Sequence, residues 1–347
     1  MKNLQKLYVL AFLMVNTLAF AQKTEETSPY LVKTYKASEI TMVNVSTSGG
    51  SISVNGQTGD EAKVEVYVRA NNWRGHELDK AEIEERLKNY TISITKEGGN
   101  LVAKAERKNK SWNDWKNGLS ISFKVFSPQK VSTDVETSGG SISMKNLNGN
   151  QKLNTSGGSI TLRAISGKLR GSTSGGSITI DDCHNDIDLS TSGGSINAED
   201  SDGNIKLETS GGSLNFHNLQ GIIHGNTSGG SIKADMIKGE FITSTSGGGI
   251  HLKGISASLD ASTSGGGIDV EMVSLGKYLK LETSAGGINV RMPMDKGMDL
   301  DLDANRVSVS SLSNFSGTQE KDRVKGKVNG GGILVKMGAN SGHITIN

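Results

Sequence analysis

The densest set of chemically capable side chains lies at residues 181–188, where Asp181, Asp182, Cys183, His184, Asn185, Asp186, Ile187 and Asp188 follow one another. Eighteen residues further on, Glu199, Asp200 and Asp202 occupy matching places. If the chain stacks at that interval, Asp182 comes beside Asp200 and Asp181 beside Glu199. Such paired oxygen ligands could hold a hard divalent cation such as Ca²⁺. Two carboxylates could also act as acid and base in polysaccharide cleavage. A third reading is a solvated acidic face. Cys183 falls on an inward position of the pattern and reads as a small buried hydrophobe rather than a nucleophile. His217 and His224 have no fixed Ser or Cys partner in the sequence, so no nucleophile with its base can be assembled. No catalytic residue is assigned and no cofactor is expected.

The interval that would pair these acids runs through the chain. The hexapeptide TSGGSI begins at Thr137, and it or a close variant recurs every 18 residues through Thr155, Thr173, Thr191, Thr209, Thr227 and Thr245 to Thr263. A further copy starts at Thr283, an earlier one at Thr47, and a worn one, VNGGGI, at Val328. With the threonine as position one, position six is Ile or Leu in every 18-residue copy, as in Ile142, Ile160, Ile178 and Leu214. Positions eight, eleven and fifteen are mostly apolar, and six and eight alternate as in a strand. Glycines such as Gly149, Gly167 and Gly203 mark a second turn at position thirteen. One period is therefore two short strands and two turns, too short for a crossover helix. Its few inward side chains contribute about 1.5–3 kcal/mol each on burial. Ordering its backbone costs roughly 1–2 kcal/mol per residue. The period is stable only when copies stack and share a core, about 4.8 Å apart.

The expected fold is all-β: a parallel β-solenoid, or β-helix, with 18-residue coils. Right-handed coiling is expected because parallel crossovers prefer that hand. A left-handed hexapeptide helix is rejected, because positions twelve and eighteen are polar. The corner glycines at position four, Gly140, Gly158, Gly176, Gly194, Gly212, Gly230, Gly248 and Gly266, are expected to be structural turn residues that need a positive φ. Position three accepts Ala285 in one copy and needs only to be small. Calcium-binding solenoid repeats carry Asp in the turn of every copy; here the turn carries Ser, so Asp181, Asp182, Glu199 and Asp200 read better as a solvated face than as a cation patch. The hydroxyl rows could in principle meet carbohydrate or ice, but the threonine lies on the inward alternation.

Outside the repeat, MKNLQK followed by an apolar run and Ala19-Phe20-Ala21 reads as a signal peptide over residues 1–21. The run is too short for a comfortable membrane span. Residues 22–36 are expected to be flexible, and 37–131 to form a β-rich cap with one short helix at 78–90. Residues 132–299 form the regular solenoid, and 300–347 an irregular insertion with the final coils. A cap is needed because a bare strand edge invites aggregation. The chain has 347 residues, 45 of them glycine and 3 proline, a single cysteine and a net charge of +2. The lone cysteine excludes an intramolecular disulfide, and the near-neutral charge argues against a polyanion binder. Basic residues among Trp112 and Trp115 in 101–130 read as a solvated face, so no nucleic-acid partner is expected.

The signal sequence, the β-rich N-terminal part, the run LSISFKVFSPQKVSTDVETSGGSI, the repeated TSGGSI turns and the closing SGHITI together resemble the bacterial putative-adhesin domain family of unknown function. The resemblance covers roughly residues 40–347 and carries no catalytic residues. It implies a β-solenoid outside the cytoplasm: an exported, non-enzymatic surface protein whose partner is a glycan or a protein. The AFAQ signal is similar to those of Gram-negative bacteria, placing the chain in the periplasm, at the outer surface or in the medium. The alternatives are a carbohydrate-binding or carbohydrate-cleaving β-helix using the acidic patch, and a purely structural envelope protein.

Overall fold

A computed structural model describes residues 28–71, 79–108, 118–310 and 312–347. The expected signal peptide and Trp73, Trp112 and Trp115 lie outside the described residues. The chain is a β-solenoid with consecutive coils in parallel register at the 18-residue step, so that Ile160 faces Ile142 on one side and Ile178 on the other. Some coils run as one bent strand, such as Ile160–Thr173, and others divide into two, such as Ile196–Glu199 and Asp202–Thr209. The bend falls at position ten, where Asn146, Ala164, Asp182, Asp200, Asn218 and Met236 all have φ between 48° and 57°. A second left-handed residue stands at position thirteen, as in Gly203 with φ 117°.

Six positions point inward: six, eight, eleven, fifteen, seventeen and the following threonine, as in Ile160, Leu162, Ile165, Leu169 and Thr173. Volume is matched across the interior. Phe216 at position eight reaches toward Gly225 at position seventeen, where a Cβ would meet the ring edge at 2.6 Å, and packs edge-on against Phe241 at 6.0 Å between centroids. Where position eleven is polar, it is satisfied: Ser201 donates to the Glu199 carbonyl at 2.7 Å and accepts from the Cys183 N–H at 3.1 Å.

The threonines are buried rather than displayed, which removes an exposed hydroxyl face at position one. Thr209 donates from Oγ1 to the carbonyl of Gly194 in the preceding coil at 2.7 Å and accepts from the N–H of Gly212 at 3.3 Å. The same pair of bonds recurs from Thr137 to Thr283. Removing the hydroxyl strands a buried carbonyl and a buried N–H. Thr209→Val is therefore expected to lower stability by about 1–3 kcal/mol, and Thr209→Ser by less. Chemical denaturation of both variants checks this; a smaller loss in Thr209→Val than in Thr209→Ser would mean that the methyl group matters and the hydroxyl does not.

The corner glycines are structural, but not for the expected reason. Among them, none from Gly140 to Gly266 has a positive φ. Their constraint is the neighbouring coil: a Cβ on Gly194 would lie 2.1 Å from the Gly176 carbonyl oxygen. The worn copy at Val328 is also corrected. Asn329, Gly330, Gly331 and Gly332 form a left-handed reversal with φ between 47° and 144°. The last true corner is Ala339–Ile344, with Ala339 opposite Thr283, Ile344 opposite Ile288, and Gly342 against Gly286 at 1.8 Å for a built Cβ.

Both ends depart from simple sequential stacking. At the N-terminal end, β1 (Leu31–Lys36), β2 (Met42–Thr47), β3 (Ile52–Gln57), β4 (Glu61–Ala70), α1 (Lys80–Leu87), β5 (Tyr90–Glu97), β6 (Asn100–Arg107), β7 (Leu119–Pro128), β8 (Ser132–Thr137) and β9 (Ile142–Thr155) build the cap and the first coils. The β2–β3 coil lies between β6–β7 and β8–β9, all in parallel register. Antiparallel strands then cover the outer coil, β5 on β6 and β4 on β7. Residues Leu31–Lys36, expected to be flexible, instead form the edge strand β1 on β4. The helix α1 packs on β4, β5 and β7, with the Asp79 carboxylate capping the Glu82 N–H at 2.8 Å.

At the other end the C-terminal strand Ile333–Ile346 is inserted between earlier elements. It pairs with Ile268–Thr283 and Ile288–Arg291 on one side and with Met298–Val309 on the other. The strands Arg323–Val328 and Phe315–Gln319 close the stack in antiparallel fashion. The outer pairing is a charge zipper, with Asp299, Asp301 and Asp303 opposite Lys327, Lys325 and Arg323.

Candidate functional site: a polar furrow along the stack

The outward positions seven and nine flank the inward position eight on each coil, so stacking turns them into two parallel rows of side chains. Between these rows runs a furrow. One section, of about 460 Å³, extends from Thr179 and Asp181 to His251. A second, of about 290 Å³, continues from His251 to Arg291 and Asn347. The two share His251, and the floor is set by inward residues such as Ala198 and Ala234.

The register fixes which groups face one another. Asp181 lies beside Glu199, as the sequence spacing predicts. The acidic set does not converge on one point. Asp181 is held by Arg163 at 2.8 Å, Asp182 by His184 Nε2 at 3.1 Å, and Asp200 accepts from Asn218 at 2.6 Å. Asp202 takes the other His184 nitrogen at 3.0 Å. Asp182 and Asp200 sit at the left-handed bend with φ 55° and 48°, a conformation that Asp and Asn tolerate better than most residues. This gives both a backbone reason to be there. Among the described residues, no group of three or more His, Cys, Asp or Glu is placed to hold a metal ion.

Within the furrow, Asn215 donates to Asn197 at 2.9 Å, leaving an amide N–H₂ on one and a carbonyl oxygen on the other facing solvent. Among the described residues, the exposed Glu199 carboxylate and Lys233 ammonium have no hydrogen-bond or ion-pair partner. His217 and His251 each face an aspartate one coil on, Asp235 at 3.5 Å and Asp269 at 3.0 Å. His217 thus belongs to the furrow wall. His224 lies on a different face, in a hollow of about 330 Å³ with Arg170, Asp188 and Lys206. Cys183 is fully buried, its thiol directed at the Asp181 and Leu162 carbonyls, and burial pushes its pKa up to about 11. It is a thiol at neutral pH, as its inward position predicts.

The sequence pointed to row nine through Asp181 and Glu199 but not to row seven. Thr179, Asn197, Asn215, Lys233 and His251 follow no single residue type, and only the stacking register shows them to be one wall.

A parallel β-solenoid with threonine-pinned corners and a polar furrow defines a repeat scaffold with an extended surface. The chain belongs to the Toastrack DUF4097 family, which it matches over residues 68–347. Similar solved structures include a putative cell adhesion protein from Clostridium sporogenes, at 13% identity, 91% of this chain and 97% of the other covered, and a TM-score of 0.17. Two putative adhesins, from Bacteroides fragilis and Parabacteroides distasonis, are 12% and 13% identical, with 91% of this chain and 96% of each covered and TM-scores of 0.25 and 0.32. Comparison with curated proteins gives no match. Among the described residues, no helix is long and apolar enough to cross a membrane.

Proposed function

We propose that this chain is an exported, non-enzymatic surface-binding protein of the adhesin type, which holds a glycan or protein partner in the furrow between rows seven and nine. The observation that carries the reading is the continuity of the furrow, in which, among the described residues, Glu199 and Lys233 are unpaired and the Asn197 N–H₂ and the Asn215 carbonyl oxygen are left open. A stack of coils pinned by backbone pairing and buried threonines holds these groups in fixed relative positions, so little side-chain and loop ordering opposes binding. Chemistry supports the non-enzymatic part of this reading. The Cys183 thiol is buried, and Asp181, Asp182 and Asp200 are each engaged by a neighbour rather than aimed at a common substrate atom.

The test is a binding screen of the chain from Gln22 onward against a glycan array and immobilised host-matrix proteins, with and without Ca²⁺, with reducing-sugar release measured in parallel. Saturable binding to a glycan or a protein with no sugar release is expected. Release that disappears in Asp182→Asn or Asp200→Asn would replace this reading with the carbohydrate-cleaving one. Binding to nothing in either panel would leave the structural envelope role in its place.

A further inference from the structure

We infer that the ligand of the furrow is an extended, uncharged glycan lying parallel to the solenoid axis, with successive sugar rings addressed by successive coils. This rests on the surface-binding reading and adds the chemical class and the direction of the ligand. The first argument is periodicity. The rows repeat once per coil, about 4.8 Å apart. A repeating polymer whose unit advances by a similar distance meets row seven and row nine again at every step, and each added contact is intramolecular. An extended peptide presents side chains on one face only every second residue, about 6.6 Å apart, and so slips out of register with the coils. A one-ring ligand uses only a fraction of the furrow.

The second argument is charge. Along the furrow the carboxylates Asp181, Glu199, Asp235, Asp269 and Glu271 occur together with the cations Lys233, Lys253 and Arg291, and Asp181 and Asp269 are engaged by Arg163 and His251. A polyanion or a polycation would meet like charge at every few coils, which costs binding energy. A chain of hydroxyls meets no such conflict. It can donate to the free Glu199 carboxylate and to the Asn215 carbonyl oxygen, and accept from Lys233 and from the Asn197 amide.

The hollow around His224 on the other face differs in this respect. Its cationic side chains are paired, Arg170 with Asp186 and Asp188 at 3.7 Å and Lys206 with Glu208 beside the hollow at 3.0 Å. It therefore serves as the control surface.

The experiment measures affinity for neutral oligosaccharides of increasing length, from disaccharide to octasaccharide, by calorimetry. It uses the parent and the variants Asn215→Trp, which fills the furrow, Glu199→Gln, which removes one exposed acceptor charge, and Asn204→Trp on the control face. Unfolding midpoints confirm that all variants are folded. Affinity should climb with length and level off once the ligand outgrows the furrow. Asn215→Trp should weaken binding by at least about tenfold, Glu199→Gln by about fivefold, and Asn204→Trp not at all. Length-independent affinity, or a loss in Asn204→Trp with none in Asn215→Trp, would overturn the inference. Saturable binding to a protein or a charged polymer with none to neutral glycans would overturn it while leaving the surface-binding reading intact. Binding to nothing would remove both.

Discussion

Gly194→Ala is expected to lower the stability of the solenoid by about 3 kcal/mol or more, while the adjacent Gly193→Ala changes it by less than about 0.5 kcal/mol. The two glycines share a corner and differ chiefly in what a Cβ would meet. On Gly194 it would lie 2.1 Å from the Gly176 oxygen, 2.4 Å from its carbonyl carbon and 2.6 Å from the Ser177 nitrogen. All three are backbone atoms, so relief requires one coil to move away from the next. That motion weakens the bonds stacked around it, including Thr209 to Gly194 and Thr191 to Gly176. On Gly193 the nearest atom is the Ser174 oxygen at 3.4 Å, an ordinary contact. Neither glycine has a positive φ, so strain in the backbone does not separate them. Urea denaturation of the parent and both variants decides the matter. Equal losses at the two sites would mean that the corner relaxes locally and the coil spacing is not the constraint.

This result bears on what can be read from a repeat before its structure is seen. Comparison of copies within the chain separates position four from position three, because Ala285 replaces one glycine and nothing replaces the other. It does not reveal why position four is invariant. A glycine kept for a left-handed backbone and a glycine kept because another backbone passes within contact distance look alike in sequence. The left-handed residues are at positions ten and thirteen, and position ten is hidden because it varies: Asn146, Ala164, Asp182, Asp200, Asn218 and Met236 all adopt the same φ. Asn and Asp predominate there, and that enrichment was the available signal. It also gives Asp182 and Asp200 a structural role that their composition alone presents as chemistry.

The fold class, the period and the inward positions were legible because each coil repeats one pattern of alternation. The furrow was only half legible. Row nine announced itself through acidic residues, whereas row seven is chemically mixed and exists only through register. The ends were least legible, since the order of strands in space there no longer follows the order in sequence. TSGGSI at Thr47 looks like an isolated early copy, yet it forms a coil enclosed by β6–β7 and β8–β9. The TSGG pattern likewise hides the true last corner, ANSGHI at Ala339, in which an alanine replaces the threonine and a serine the first glycine.

Removal of residues 333–347 is expected to abolish the folded C-terminal half of the stack, with a fall in the unfolding midpoint of more than about 10 °C or loss of soluble protein. In a simple stack the last coil is a terminal unit, and its loss costs one interface. Here the strand Ile333–Ile346 fills a gap between the Ile268–Thr283 and Ile288–Arg291 strands and the Met298–Val309 strand. Its loss breaks two interfaces and exposes facing edges on both sides. It also removes the buried side chains of Val335, Met337, Ile344 and Ile346, each contributing about 1.5–3 kcal/mol. The antiparallel closure by Arg323–Val328 remains bound to Met298–Val309 but no longer to the coils. The comparison is a chain lacking residues through Lys36. That deletion removes β1, an edge strand that among the described residues pairs only with β4 and is mostly exposed, so a shift of a few degrees is expected. Thermal unfolding of both truncated chains beside the parent makes the contrast. A C-terminal deletion that melts within a few degrees of the parent would show that the inserted strand is an accessory to the solenoid rather than the element that joins its end to its body.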